Sequence, residues 1–166
     1  MPDFEFRYLL LGGLAIALLI AAITDIRRRQ IDNWLTLTIA AGAPLYWWAS
    51  GMSFMPGIAW QLGLAALTFA VLFAMFALGV MGGGDVKLLT AVALWIAPLW
   101  FMRLVIVMSI IGGLLTLAMW IHHRATKRTG RLAIPYGVAI ASAGLWALFA
   151  QHRALFHLPA NAAGFG

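Results

Sequence analysis

The sequence predicts an all-α membrane protein, a bundle of about six transmembrane helices. Of its 166 residues, 64% are hydrophobic and only 10% are charged, and the mean hydropathy is +0.95. This composition is too apolar for a soluble domain of this size. The apolar residues also fall into long runs between short polar segments. A lipid bilayer is therefore the predicted surrounding, with one transmembrane domain over residues 1–151.

Six apolar segments come close to the roughly 20 residues that a helix needs to cross the hydrocarbon core. They are residues 8–24, 34–50, 57–79, 86–102, 104–121 and 132–150. The fourth and fifth are separated by little more than Arg103, and a single long bent helix is the alternative there. The tail, residues 152–166, has no periodicity and is expected to fray.

The first apolar run is predicted to be a membrane span and not a secretory signal. Asp3 and Glu5 precede it with only Arg7 beside them, whereas a signal peptide begins with a basic region. The run is also followed by three arginines, Arg27 to Arg29, which are typical of a cytoplasmic stop.

The basic residues predict the orientation of the bundle. With the N-terminus outside, eight of the 11 arginines and lysines lie in three cytoplasmic segments, residues 27–32, 82–87 and 122–131. Tryptophans are expected at the outer ends of their helices (Trp47, Trp48, Trp60 and Trp100) and at the inner ends (Trp34 and Trp120). The charge of +6 thus indicates membrane orientation, and no nucleic-acid partner is predicted, because the basic residues form no long polar patch.

Acidic residues are rare, and three of the five lie at predicted cytoplasmic helix ends: Asp25, Asp32 and Asp85. An ionisable group at membrane depth is costly and usually marks function. Asp25 ends the first helix, where the helix dipole disfavours a carboxylate unless something compensates. The structural alternative is an ion pair with Arg28 or Arg29 one turn on.

Asp85 follows three glycines and precedes a helical segment. As a structural residue it would cap that helix, and the glycines would be a loop. Three glycines at membrane depth also let the backbone unwind and let a peptide approach closely. Asp32, at the start of the second helix, is better explained as a cap. Lys87 would hold a lipid phosphate or act on Asp85 through its charge.

Together, Asp25 and Asp85 suggest a catalytic pair. Two adjacent carboxylates cannot both ionise easily, so one can activate water while the other donates a proton to a peptide carbonyl. Such chemistry needs no cofactor and no metal. The helix dipoles favour a protonated Asp25 and an ionised Asp85.

Other nucleophiles and ligands are poorly supported by the sequence. Cysteine is absent, which excludes disulfides and thiolate chemistry. The serines have no plausible histidine partner nearby: Ser50, Ser53, Ser109 and Ser142. His122 and His123 are better explained as a solvated or headgroup-facing pair.

These residues resemble a known family, the type IV prepilin peptidases. Residues 82–87, Gly-Gly-Gly-Asp-Val-Lys, fit its GxGDxK signature, and residues 25–33 resemble the segment in which the first catalytic aspartate precedes a basic stretch and Ile-Pro-Asn. Residues 135–137, Pro-Tyr-Gly, resemble its Pro-aromatic-Gly motif. One departure is Asp32, which stands where the family usually has proline. Both residue types suit a helix start.

The resemblance implies that Asp25 and Asp85 are the catalytic aspartates of a membrane-embedded endopeptidase. Seven further residues would shape its site: Gly82, Gly84, Lys87, Asn33, Pro135, Tyr136 and Gly137. The family removes the short basic leader that precedes the hydrophobic helix of prepilins and pseudopilins, at the cytoplasmic face of the bacterial inner membrane. Larger members carry cysteine motifs and methylate the product. This cysteine-free chain resembles the short branch that serves Flp-type tight-adherence pili.

Two other functions remain open at this point. One is a small transporter or proton-relay bundle that uses the two aspartates, although both lie near one face and transport sites tend to lie at the midplane. The other is an intramembrane protease of the presenilin type, which shares GxGD. The short chain and the segment from Asp25 to Asn33 disfavour it. The sequence does not determine the oligomeric state.

Overall fold

The computed structural model describes residues 2–125 and 136–152, and its described part contains helices and no strand. The helices are α1 (Pro2–Arg28), α2 (Asn33–Ala49), α3 (Ala59–Ala77), α4 (Gly83–Ala93), α5 (Pro98–Ala125) and α6 (Tyr136–His152), with a kinked turn at Phe54–Ile58 before α3. Among the described residues, three segments are long and apolar enough to cross a membrane: Glu5–Arg28, Phe54–Ala77 and Pro98–Ala125. The predicted all-α membrane protein is confirmed.

Helix α4 is the centre of the bundle. Its 11 residues give a length of only about 16 Å at 1.5 Å per residue, too short to cross a hydrocarbon core of about 30 Å alone. Helices α2, α3 and α6 pack around it, while α1 packs on α2 and α6. Apolar side chains cover most of its surface: Val86, Leu88, Leu89, Ala91, Val92 and Ala93 are buried.

The predicted boundary at Arg103 is wrong, and so is the alternative of one bent helix. The chain breaks at residues 94–97, and α5 begins at Pro98, which suits the first position of a helix because its missing N–H would be unpaired there in any case. Arg103 lies inside α5, where its guanidinium stacks on the Trp100 ring at 4.5 Å.

Side chains from three other helices stabilise this break. Gln61 Nε2 donates to the carbonyl oxygens of Leu94 (3.3 Å) and Ile96 (3.1 Å). The indole N–H of Trp47 also donates to Leu94, at 2.9 Å, and Gln151 Oε1 accepts a backbone N–H of the same segment at 3.1 Å. Unpaired backbone groups at membrane depth cost several kcal/mol each, so these contacts make a non-helical segment possible there.

The remaining boundaries agree with the predicted spans to within a few residues, except that α1 extends well before residue 8. Trp47 was expected at the lipid interface but is buried (7% exposed), because its indole N–H binds the Leu94 carbonyl at the break. Trp48 and Trp60 are exposed, as expected. The first residues of the sixth predicted span, 132–135, and the predicted tail beyond His152 lie outside the described residues.

Candidate active site

Asp25 and Asp85 line the same cavity, although they lie on different helices and 60 positions apart in the chain. The cavity has a volume of about 770 Å³. Its walls are the connection between α1 and α2 (residues 29–33), the connection between α3 and α4 (residues 79–84) and Tyr136 of α6. The five helix ends that contribute lie at the same end of the bundle, where the sequence predicted Asp25, Asp32 and Asp85 to lie.

Asp25 lies in the last turn of α1 and is almost fully buried (5% exposed). Its carboxylate accepts hydrogen bonds from the backbone N–H groups of Gly137 and Val138, in the first described turn of α6. Its Oδ2 atom is buried and has no hydrogen-bond partner among the described residues. The fold therefore buries a polar atom of Asp25 that these residues do not pair.

Gly137 is required by this arrangement for a steric reason. A Cβ atom at this position would lie 2.7 Å from Asp25 Oδ2 and 2.9 Å from Ile31 Cδ1, closer than real side-chain atoms approach. The sequence assigned Gly137 to the site only through its motif. The structure shows the contact that needs the glycine.

Asp85 is partly buried in the first turn of α4. From the sequence, Asp85 could have been the N-cap residue of this helix. In the structure the N-cap is Gly82, and Asp85 lies three positions later. Its carboxylate accepts the backbone N–H of Gly82, in the manner of the second half of a capping box. A Cβ at Gly82 would come within 2.9 Å of Asp85 Oδ2.

The electrostatic surroundings of Asp85 raise the pKa of its carboxyl group. It lies outside the three long spanning segments, and burial, together with the negative charge of Asp25, raises its pKa to about 6. The hydrogen bond from Gly82 opposes this rise. Asp25 is thus close enough to act on Asp85 electrostatically, as a carboxylate pair requires.

The glycines before Asp85 let α4 approach its neighbours. A Cβ at Gly84 would lie 3.3 Å from Ile31 Cβ, and one at Gly83 would lie 3.3 Å from the Phe76 ring. A larger residue at Gly84 would therefore crowd the connection that follows Asp25. The glycine run lets α4 pack closely on its neighbours, and this supports a role beyond a plain loop.

The sequence left open an ion pair between Asp25 and Arg28 or Arg29, and the structure shows a different arrangement. Arg28 pairs with Asp32 at 2.9 Å. Arg29 lines the cavity and interacts with Asp25 electrostatically, and its φ of +53° is unusual for a residue other than glycine. Asp32 does occupy the N-cap position of α2, but its side chain makes no capping hydrogen bond.

Four motif residues remain: Asn33, Lys87, Pro135 and Tyr136. Lys87 Nζ donates a hydrogen bond to Asn33 Oδ1 at 2.9 Å, which connects α4 to the start of α2. Asn33 lines the cavity, whereas Lys87 is exposed beside it. Tyr136 lines the cavity, and Pro135 lies outside the described residues.

Residues 13–117 match the type IV leader peptidase family. The match covers more than half of the chain and includes both aspartates, the glycine run and the basic segment between α1 and α2. The chain therefore belongs to the type IV leader peptidase family and is a membrane-embedded peptidase. A comparison with curated proteins and one with solved structures gave no match.

The contact between Gly137 and Asp25 predicts that Gly137→Ala will damage the site. The added methyl group must displace Asp25 or α6, and a displacement of about 1 Å can cost roughly 100-fold in rate. Cleavage of a leader-bearing precursor should fall accordingly. Gly63→Ala is the matched control, because Gly63 is also a helix glycine and a Cβ there meets nothing within 4 Å. Equal activity of the two variants would contradict the proposed geometry.

Proposed function

We propose that this protein is an aspartic endopeptidase that removes the leader of prepilin-like precursors at the cytoplasmic face of the bacterial inner membrane. Asp25 and Asp85 form its catalytic pair. The observation that carries the proposal is that Asp25 and Asp85 line one cavity, in which the charge of Asp25 acts on Asp85. Membership of a peptidase family favours this function over an ion relay between the same two residues.

The two carboxyl groups share one proton in the proposed mechanism. Burial of Asp85 and the negative charge of Asp25 raise the pKa of Asp85 to about 6, as expected when two carboxylates act on each other. The helix dipoles favour Asp25 as the protonated member of the pair and Asp85 as the ionised one. The pair titrates as a unit.

Hydrolysis then follows from this distribution of the proton. The ionised carboxylate of the pair accepts a proton from water, whose oxygen attacks the peptide carbonyl carbon. The protonated partner donates its proton to the carbonyl oxygen, which gives a tetrahedral intermediate. When the intermediate collapses, the C–N bond breaks and the leaving amine takes the proton from the first carboxyl group. The second carboxylate regains a proton from a hydroxyl group of the intermediate. The chemistry uses only the two carboxyl groups and water.

The substrate is a precursor with a short basic leader followed by a hydrophobic helix. A polar cavity between helix ends suits the junction between these two parts, where the scissile bond lies. The absence of cysteine from these 166 residues fits the branch that serves Flp-type pili.

In that branch the product keeps an unmodified amine, and mass spectrometry of the product would reveal an added methyl group.

The carboxylate pair predicts that Asp25→Asn and Asp85→Asn will each abolish leader cleavage while the protein remains folded and inserted. An amide nitrogen can neither accept the proton of water nor donate as a carboxylic acid does. Purified variants in detergent or liposomes would be incubated with an Flp-type prepilin, and the loss of the leader would be followed by mass.

Asp32→Asn is the matched control for these two variants. It changes a carboxylate that also lines the cavity but pairs with Arg28 at the surface, and asparagine suits an N-cap position as well as aspartate does. It should keep most of the activity. Substantial cleavage by either Asp25→Asn or Asp85→Asn would exclude the two-aspartate mechanism, and loss in Asp32→Asn alone would point to a different carboxylate.

The proposed orientation predicts the behaviour of topology reporters. A reporter that is active only in the cytoplasm should be silent when fused after Ser50, at the end of α2, and active when fused after Arg124, at the end of α5. The reverse pattern would place both aspartates on the outer side, away from a cytoplasmic leader.

A further inference from the structure

An apolar groove of about 760 Å³ runs between α3 and α5. Helix α3 packs mainly on α4, and α5 packs mainly on α6, so the two helices leave a gap between them that faces outward. The lining positions recur at helical spacing, from Leu64 to Met75 on α3 and from Pro98 to Gly113 on α5. Exposed apolar side chains therefore lie along one stripe of each helix in the described part of the chain, among them Leu67 and Val71 on α3 and Met102 on α5.

The groove adjoins the aspartate cavity. Val80, Met81 and Tyr136 line both of them. The junction lies near the end of the groove at Met75 and Gly113, because Tyr136 also packs against Gly112 on α5. An occupant of the groove would thus have one end beside Asp25 and Asp85.

The dimensions of the groove suit a helix. At 1.5 Å per residue, the α3 stripe is about 16 Å long and the α5 stripe about 22 Å, more than half of a hydrocarbon core of about 30 Å. Gly113, Ser109 and Thr68 lie among its lining residues, and small residues let two membrane helices approach closely.

We propose that this groove binds the hydrophobic helix of the precursor, with the N-terminal end of that helix at the carboxylate pair. The proposal rests on the proposed function. Where the groove meets the cavity, an apolar surface changes to a polar one, and the precursor changes from apolar helix to basic leader at its scissile bond. A lipid chain could fill the groove, but nothing about a lipid requires the groove to join the carboxylates.

Filling the groove should block the precursor without touching the carboxyl groups. Val71→Trp places a large side chain on the α3 stripe, and Ile106→Trp is its matched control. The two residues are similarly exposed, at 52% and 56%, but Ile106 does not line the groove. Cleavage of a full-length Flp-type prepilin in liposomes should fall at least about tenfold in Val71→Trp, a loss of about 1.4 kcal/mol, and stay near the wild-type rate in Ile106→Trp.

Cross-linking tests the same contact independently of activity. The chain has no cysteine, so Val71→Cys in the Asp85→Asn protein provides a single thiol. It should form a disulfide with a cysteine in the apolar helix of the prepilin, and Ile106→Cys should not.

The outcomes separate the two proposals. If the wild-type protein cleaves the prepilin, and Val71→Trp cleaves it equally well, the groove is not the binding site. Equal cross-linking from both positions, or cross-linking of Val71→Cys only to a second copy of this chain, would overturn it too. Failure of the wild-type protein to cleave any prepilin would instead refute the proposed function.

Discussion

The site depends on one interaction, the burial of the Asp25 carboxylate against the first turn of α6. The N–H groups of Gly137 and Val138 donate to this carboxylate, and they offset part of the cost of removing a charge from water. The contact is possible only because Gly137 has no side chain. Within the described part of the chain, Oδ2 of Asp25 is buried without a hydrogen-bond partner. A buried polar atom of this kind costs free energy and calls for a functional explanation.

A second constraint places Asp85 opposite this carboxylate. The chain must enter the bundle at a glycine turn, run through a short buried helix and break again before α5. Each step exposes backbone groups that lipid cannot satisfy. The glycines allow the close approach of α4 to Ile31, and Gln61 and Trp47 bind the carbonyl groups at the break. The short central helix therefore explains why Gln61 and Trp47 are buried in an otherwise apolar bundle: they bind the backbone groups exposed where this helix ends.

Much of this architecture could be predicted from the sequence, since hydropathy determines where helices lie and scarce acidic residues stand out in an apolar chain. The break at residues 94–97 could not, because it depends on hydrogen bonds from Gln61 and Trp47, distant in the sequence. Arg103 marked a false boundary, since a charged side chain can stack on Trp100 without ending a helix. The donors to Asp25 were missed for the same reason: a contact across more than 100 positions leaves no local pattern.

The central claim is that the fold brings Asp25 and Asp85 together in one cavity, and a thiol pair tests it most directly. In a chain without native cysteine, the double variant Asp25→Cys with Asp85→Cys would be treated in membranes with a short bifunctional thiol reagent. Our account predicts an internal cross-link in the double variant and none in either single variant. Two thiols that each react with a monofunctional reagent but never cross-link would contradict it.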